Sequence, residues 1–312
     1  MQIIFWGVRG SIPTPLTPEQ VQAKITAAVQ RITPKDIASE DARERFVASL
    51  PSWLYGTTGG NTPCVEVKTD SGAELVFDAG SGIRVMGKKG AKPADNHYNI
   101  FLSHFHWDHL QGFPFFDAVY NPDVSIDLYS TFPAAERLIR AQMLRPYYPV
   151  TFDSCTKNFR FHTIEQGKPF LVDGHEICCC KMSHPGNSYS YAVTENGKKF
   201  VYATDVELSQ KDFERTAART NVFKNADIIV LDSQYTVAEA HQKENWGHSA
   251  FCYAVDFAVH WNIKTIYLFH HEPTYDDKKL NSILLSARWY AEYIEHPEIQ
   301  IYLATENMVI SL

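Results

Sequence analysis

Two patterns of apolar residues alternate along this chain. Short runs of four to seven residues, mostly β-branched or aromatic and followed by Gly, Asp, His or Ser, read as strands. They cover residues 3–8, 64–69, 74–77, 99–103, 125–129, 176–182, 199–203, 227–231 and 265–269. Between them, residues 17–32, 38–50, 133–143, 207–219, 249–260 and 277–295 carry the wider spacing of helices. Pro133 suits a first helical turn, and Asp276 with Asp277 places acid at a helix start. There is no fixed-period repeat, low-complexity tract or linker. The expectation is one layered α/β domain over residues 1–312. Residues 13–55 interrupt the pattern with polar, helical, proline-punctuated sequence. They read as a helical insertion between the first two strands, serving as a surface excursion, a lid or an oligomer contact.

Composition narrows the class. The 312 residues are 45% hydrophobic and 13% aromatic, which excludes a disordered chain. No apolar run approaches the ~20 residues of a membrane helix. The N-terminal MQIIFWGVRG reads as a strand and not as a leader, so a cytoplasmic protein is expected. With 36 acidic and 29 basic residues the formal charge is −7, unfavourable for a long nucleic-acid track. Six cysteines, three of them consecutive at 178–180, show no C-x-x-C spacing; buried thiols in a reducing compartment fit better than disulfides.

The densest chemistry is Ser103-His104-Phe105-His106-Trp107-Asp108-His109, directly after the strand at 99–103. Three imidazoles and a carboxylate within six residues cannot all face one way. His104 and His106 share a face of extended chain, whereas Asp108 and His109 lie past the strand end. That arrangement suits two neighbouring metal ions, one on each pair.

With this motif the chain resembles the metallo-β-lactamase superfamily, whose H-x-H-x-D-H follows a strand. The resemblance extends to His184 in Ser183-His184-Pro185-Gly186, Asp205 in Ala203-Thr204-Asp205 and His270 in Phe269-His270-His271-Glu272. It implies a four-layer αββα sandwich and two divalent ions. His104, His106 and His184 would hold one, Asp108, His109 and His270 the other, and Asp205 would bridge them. His270 is preferred to its neighbour His271 because it ends a strand. Asp78 also matches a family position, more as a residue that pins a loop than as a ligand. Imidazole and carboxylate donors without thiolate suit Zn; Mn, Fe, Ni or Co use the same donors.

Departures from the family select a branch. Asp205 stands where true β-lactamases carry Cys, and His106 where the di-iron oxidoreductases carry Glu. Trp246-Gly247-His248-Ser249 resembles the Gly-His-Ser-Thr segment of ribonuclease Z and cyclic phosphodiesterases, which implies that His248 contacts phosphate and protonates the leaving oxygen. Leu231-Asp232-Ser233-Gln234 and Gln111-Gly112-Phe113-Pro114 look like the bacterial small phosphodiesterases. The resemblance therefore implies hydrolysis of a small phosphodiester, such as a cyclic nucleotide or cyclic phosphate, by metal-activated water. Asp108 would orient that water while serving as ligand.

Ribonuclease Z-like cleavage at RNA 3′ ends is the alternative enzyme, and a non-catalytic metal-binding sensor or interaction module the alternative class. His271 and Asn61, in Gly59-Gly60-Asn61-Thr62, are further substrate-binding candidates. Arg9 is read as a surface ion pair or a substrate contact. Of the aromatic run from Trp107 to Tyr120, most rings are expected in the core and one stacked on a base. A homodimer is the family expectation.

Overall fold

In β1 (Gln2–Gly7), Ile3 and Phe5 turn to one side and Ile4 and Trp6 to the other, and both sides are buried. A strand buried on both faces must lie inside a layered fold. That is what the computed structural model shows; it describes residues 1–155 and 157–312. The strands continue with β2 (Cys64–Lys68), β3 (Glu74–Phe77), β4 (His97–Phe101), β5 (Ser125–Ser130) and β6 (Phe159–Thr163). The second half adds β7 (Phe170–Val172), β8 (His175–Lys181), β9 (Tyr189–Glu195), β10 (Lys198–Ala203), β11 (Ile228–Asp232), β12 (Thr265–Phe269), β13 (Gln300–Leu303) and β14 (Val309–Ser311).

They form two seven-stranded sheets, ordered β14-β1-β2-β3-β4-β5-β6 and β13-β12-β11-β10-β9-β8-β7. Each is part antiparallel and part parallel: β3 through β6 run parallel, as do β10 through β13. Between the sheets lies an aromatic layer in which Phe77 packs 5.2 Å from Phe101 and 5.4 Å from Tyr202, centroid to centroid. Burying each such ring is worth roughly 1.5–3 kcal/mol.

The helices are α1 (Pro18–Val29), α2 (Glu40–Ser49), α3 (Ser52–Tyr55), α4 (Gly82–Lys89), α5 (Ala135–Gln142), α6 (Ala217–Phe223), α7 (Val237–Gln242), α8 (Phe251–Trp261) and α9 (Asp277–Tyr293). Side chains of α4 and α5 enter the core on the outer face of the first sheet; those of α6, α8 and α9 enter the core on the second. The αββα expectation therefore holds. Helices α1 to α3 form the insertion between β1 and β2, and neither α1 nor α2 buries a residue. Lys24 ties the insertion to the body through the Asp277 carboxylate (2.5 Å), and within the insertion it also binds the Trp53 carbonyl (2.7 Å).

Some element boundaries differ from expectation. Residues 207–219 are not one helix: Ser209 caps a short 3-10 turn at Gln210–Phe213, and Thr216 separately caps α6. Each cap satisfies backbone N–H groups and so begins its own element. Strands β6, β7, β9, β13 and β14 and helices α3, α4 and α7 were not anticipated; most are short, and β7 and β14 have only three residues each. All six cysteines are free and buried. In β8, Cys178 and Cys180 face the helices, while Cys179 faces the other sheet. Among the described residues no helix is long and apolar enough to cross a membrane.

One buried polar group makes stability depend on pH. Glu66 accepts from Trp6 Nε1 (2.9 Å), and Lys68 Nζ stands 3.4 Å from Glu66 and 3.0 Å from Glu74. Burial, together with the Glu66 carboxylate, pushes Glu74 up to about 8. An unfolded glutamate titrates near about 4.3. Between those values the folded chain holds a proton that the unfolded chain has lost, so stability falls as pH rises through this window and levels off above it. In Glu74→Gln that loss is absent. Thermal melts should show the variant gaining on wild type between pH 5 and pH 8; a pH-independent difference would mean that Glu74 is ionised in the fold.

Candidate metal centre

The strands that carry the candidate donors end along one edge of the molecule. His104 lies just beyond β4, His184 beyond β8, Asp205 beyond β10 and His270 directly after β12. Asp78, Asp205 and His270 each follow a strand with left-handed φ, at 61°, 47° and 58°. Non-glycine residues adopt that conformation at a cost, and it is found where a side chain has to be aimed.

These turns bring together two donor sets. In the first, ligand-type atoms of His104, His106, His184 and Asp205 lie within 4.8 Å of one another; in the second, those of Asp108, His109, Asp205 and His270 do so. Asp205 belongs to both. Its Oδ2 is 3.5 Å from His104 Nε2 and 3.8 Å from His184 Nε2, while its Oδ1 is 3.1 Å from both His109 Nε2 and His270 Nε2. Asp108 Oδ2 stands 3.2 Å from His109 Nε2 and 3.1 Å from His270 Nε2. His106 turns Nδ1 inward, 3.2 Å from His184 Nε2.

The outer nitrogen of four rings is engaged. His104 Nδ1 meets Ser103 Oγ (3.0 Å), His109 Nδ1 meets Asp78 Oδ2 (2.7 Å), His184 Nδ1 meets the Gly247 carbonyl (2.9 Å) and His270 Nδ1 meets Gln234 Oε1 (3.3 Å). Donation from Nδ1 leaves the Nε2 lone pair pointing inward, the tautomer a metal requires. Close backbone approach fixes the rings further. A Cβ on Gly247, whose φ is +93°, would fall 2.2 Å from His184 Nδ1, and one on Gly186 would fall 2.7 Å from His106 Nε2.

The donor chemistry fits divalent cations. The Nε2 atoms of His104 and His109 are buried with no hydrogen-bond partner, and both point at the shared carboxylate. Burial holds His104 and His184 below the ordinary imidazole value, so both are neutral donors. Burial pushes Asp205 up, but His109, His270 and His104 outweigh it and hold the carboxyl well below its usual range. His109 goes the other way: burial opposes its proton, yet Asp108, Asp205 and Asp78 retain it. A cation and that proton compete for the same nitrogen, so metal uptake would release it.

Beside the second set lies a pair that sequence reasoning only half identified. His248 Nδ1 is 2.7 Å from Asp232 Oδ2, and its ring stacks on His270 at 4.8 Å. Burial disfavours the charged ring, but Asp232 outweighs burial and raises the His248 pKa. Asp232 was read only as part of a motif; its place at the end of β11, in line with Asp205 and His270, was the available signal. The helix expected over 249–260 begins only at Phe251, after an Ala250 cap, so His248 lies in the loop that precedes it.

The remaining candidates are engaged elsewhere. His271 is buried with Nε2 on the Ala304 carbonyl (2.9 Å), and burial with nearby Arg9 lowers its pKa to about 3. Asn61 donates its side-chain N–H to Glu306 (3.0 Å), and its Oδ1 accepts from the Ser81 hydroxyl (3.0 Å). Arg9 is not on the surface: it binds the carbonyls of Gly59, Glu272 and Tyr275 and fastens the loops behind the site. Phe113 and Phe116 are core, whereas Trp107 is 80% exposed.

Residues 74–271 match the family model described as Beta-lactamase superfamily domain. A ribonuclease Z from Picrophilus torridus is 23% identical over 272 residues, spanning 74% of this chain and 85% of that protein. The human short-form tRNase Z structure matches with TM-score 0.61 and 18% identity over 100% and 99% of the two chains. A diphosphatase from the PhnP family matches with TM-score 0.60 and 15% identity over 99% and 96%. Those low identities speak for the fold, while the family match spans every strand that aims a donor. The chain belongs to the β-lactamase superfamily, as a metal-dependent hydrolase of the metallo-β-lactamase fold.

Proposed function

We propose that this chain is a cytoplasmic, binuclear phosphodiesterase that uses zinc to hydrolyse a small phosphodiester, a cyclic nucleotide or another cyclic phosphate. The observation that carries the reading is the Asp205 carboxylate, with one oxygen toward each donor set, beside the paired His248 and Asp232. His104, His106 and His184 would hold one ion, Asp108, His109 and His270 the other, with Asp205 between them. Two divalent cations supply Lewis acidity, which lowers the pKa of a nearby water and offsets charge on the phosphate oxygens.

The chain's own groups do the rest. Asp108 Oδ2 is oriented by the Ser11 N–H at 2.8 Å. His248 donates Nδ1–H to the Asp232 carboxylate, which leaves Nε2 to carry a second proton and deliver it to the leaving oxygen. Trp107 at 80% and Trp246 at 64% exposure flank the donors in sequence and offer flat apolar faces to a base. The net charge of −7 supports a small substrate over a long RNA track. A ribonuclease Z-like endonuclease remains the second reading, favoured by the Picrophilus torridus relative. Two complete donor sets and the His248–Asp232 pair weigh against a non-catalytic module.

Three measurements test this reading. Bis(p-nitrophenyl) phosphate should be turned over, and chelation or His106→Ala should abolish turnover while elemental analysis shows metal lost from the roughly two ions per chain. Full turnover by His106→Ala overturns the mechanism. In His248→Ala, rates should fall by about 10²–10⁴ for an alkoxide leaving group and far less for p-nitrophenolate, which leaves without a proton; equal losses on both would remove His248 as proton donor. Across a panel of cyclic nucleotides and precursor tRNA, the cyclic nucleotides should be hydrolysed, whereas efficient cutting of the tRNA alone would establish the second reading.

A further inference from the structure

Behind His184 lies a cleft of about 590 Å³, between the end of β8 with its following loop and the segment that leads into α6. Its walls carry Lys181, Lys211 and Arg219 and no carboxylate, in a chain whose net charge is −7. Lys181 and Lys211 form no ion pair among the described residues. Arg219 Nε is buried without a hydrogen-bond partner, and its Nη2 reaches only to 3.6 Å from Asp212 Oδ1. Asp212 is occupied already: Oδ1 accepts from the Ser183 N–H (3.2 Å), and Oδ2 accepts from the Ser209 N–H (3.0 Å) and hydroxyl (2.8 Å).

We propose that this cleft is a phosphate-binding subsite that receives a second phosphate of the substrate, beyond the scissile one. A planar guanidinium with unused N–H donors, flanked by two ammonium groups, matches a phosphate's geometry and charge. Ser183, Asn187 and Thr216 add polar groups to the walls. The cleft is coupled to the metal centre by residues in sequence and in contact: Arg219 leans on Asp212, Asp212 holds Ser183, and the next residue, His184, both lines the cleft and belongs to the first donor set. A phosphate here therefore sits one side chain away from the proposed reaction centre. The inference rests on the phosphodiesterase reading for the source of that phosphate, but not for the existence of the subsite.

The test compares the metal-loaded wild type with Lys211→Gln and Arg219→Gln, using the dinucleotide ApA and its 5′-phosphorylated form pApA. Lys211 is exposed, so its variant keeps the test valid if Arg219→Gln is unstable. The terminal phosphate should raise wild-type kcat/KM about tenfold or more, and each variant should lose that preference. In parallel, calorimetric titration with inorganic phosphate should show a binding event that weakens about tenfold in each variant. If pApA has no advantage but that event still weakens, the cleft takes free phosphate and the substrate assignment is overturned. If the event weakens while neither dinucleotide nor bis(p-nitrophenyl) phosphate is cleaved, the subsite stands and the phosphodiesterase reading fails; if bis(p-nitrophenyl) phosphate alone is cleaved, the assignment of the cleft to a second substrate phosphate is overturned. Phosphate binding of equal strength in wild type and both variants overturns the subsite itself.

Discussion

A single buried carboxylate organises this molecule. Asp205 is 1% exposed, and an ion so placed costs several kcal/mol to desolvate unless opposite charge surrounds it. His109, which keeps its proton, supplies part of that charge, and His104, His184 and His270 complete the ring of imidazoles, two to each carboxylate oxygen. They come from both sheets, His104 and His109 after β4 of the first, His184 and His270 after β8 and β12 of the second. The carboxylate is therefore satisfied only when the two sheets are packed in register.

The packing that secures this register lies directly beneath. Tyr202, inside the aromatic layer, donates its hydroxyl to Asp78 Oδ2 at 2.8 Å, and Asp78 in turn holds His109 and Ser103. Tyr191 reaches across in the same way to the Leu102 carbonyl at 2.7 Å. The core and the site thus share residues. Changes in the aromatic layer would be felt as changes in ring orientation, because interiors at this density transmit displacement instead of absorbing it.

Outside the donors, the chain surrounds the site with groups whose task is aim. Ser103, Asp78, Gly247 and Gln234 each take the far nitrogen of an imidazole, and Glu272 takes Gln234 Nε2 at 3.1 Å. Arg9 fastens three backbone carbonyls at the base of these loops. Such supports raise the basicity of a ring and fix its tautomer. The cationic cleft behind His184 belongs to the same scheme, since Asp212 both positions Ser183 and pairs with Arg219.

Local sequence was enough for some of this. The dense run from His104 to His109 exposes its chemistry without a structure, because donors so close in sequence at a strand end cannot be far apart in space. His184, Asp205 and His270 were legible through the resemblance to the metallo-β-lactamase superfamily, with which their place after strands agrees, and the layered α/β class through the length of the apolar runs. The opposite facing of Cys179 from its neighbours follows from the two-residue period alone, and burial on both faces of β1 agrees with apolar residues at every position from Ile3 to Trp6. What the sequence could not decide is what each side chain meets across the fold. Asp232 meets His248, Asn61 meets Glu306 and Ser81, and His271 turns to Ala304 although it adjoins His270. The cleft likewise joins residues from the 180s and the 210s through a cap at Ser209 and a helix start at Thr216. Periodicity is a property of neighbours along the chain, whereas hydrogen-bond partners and charge clusters are set by which segments the packed sheets bring together. Only the tertiary structure decided those.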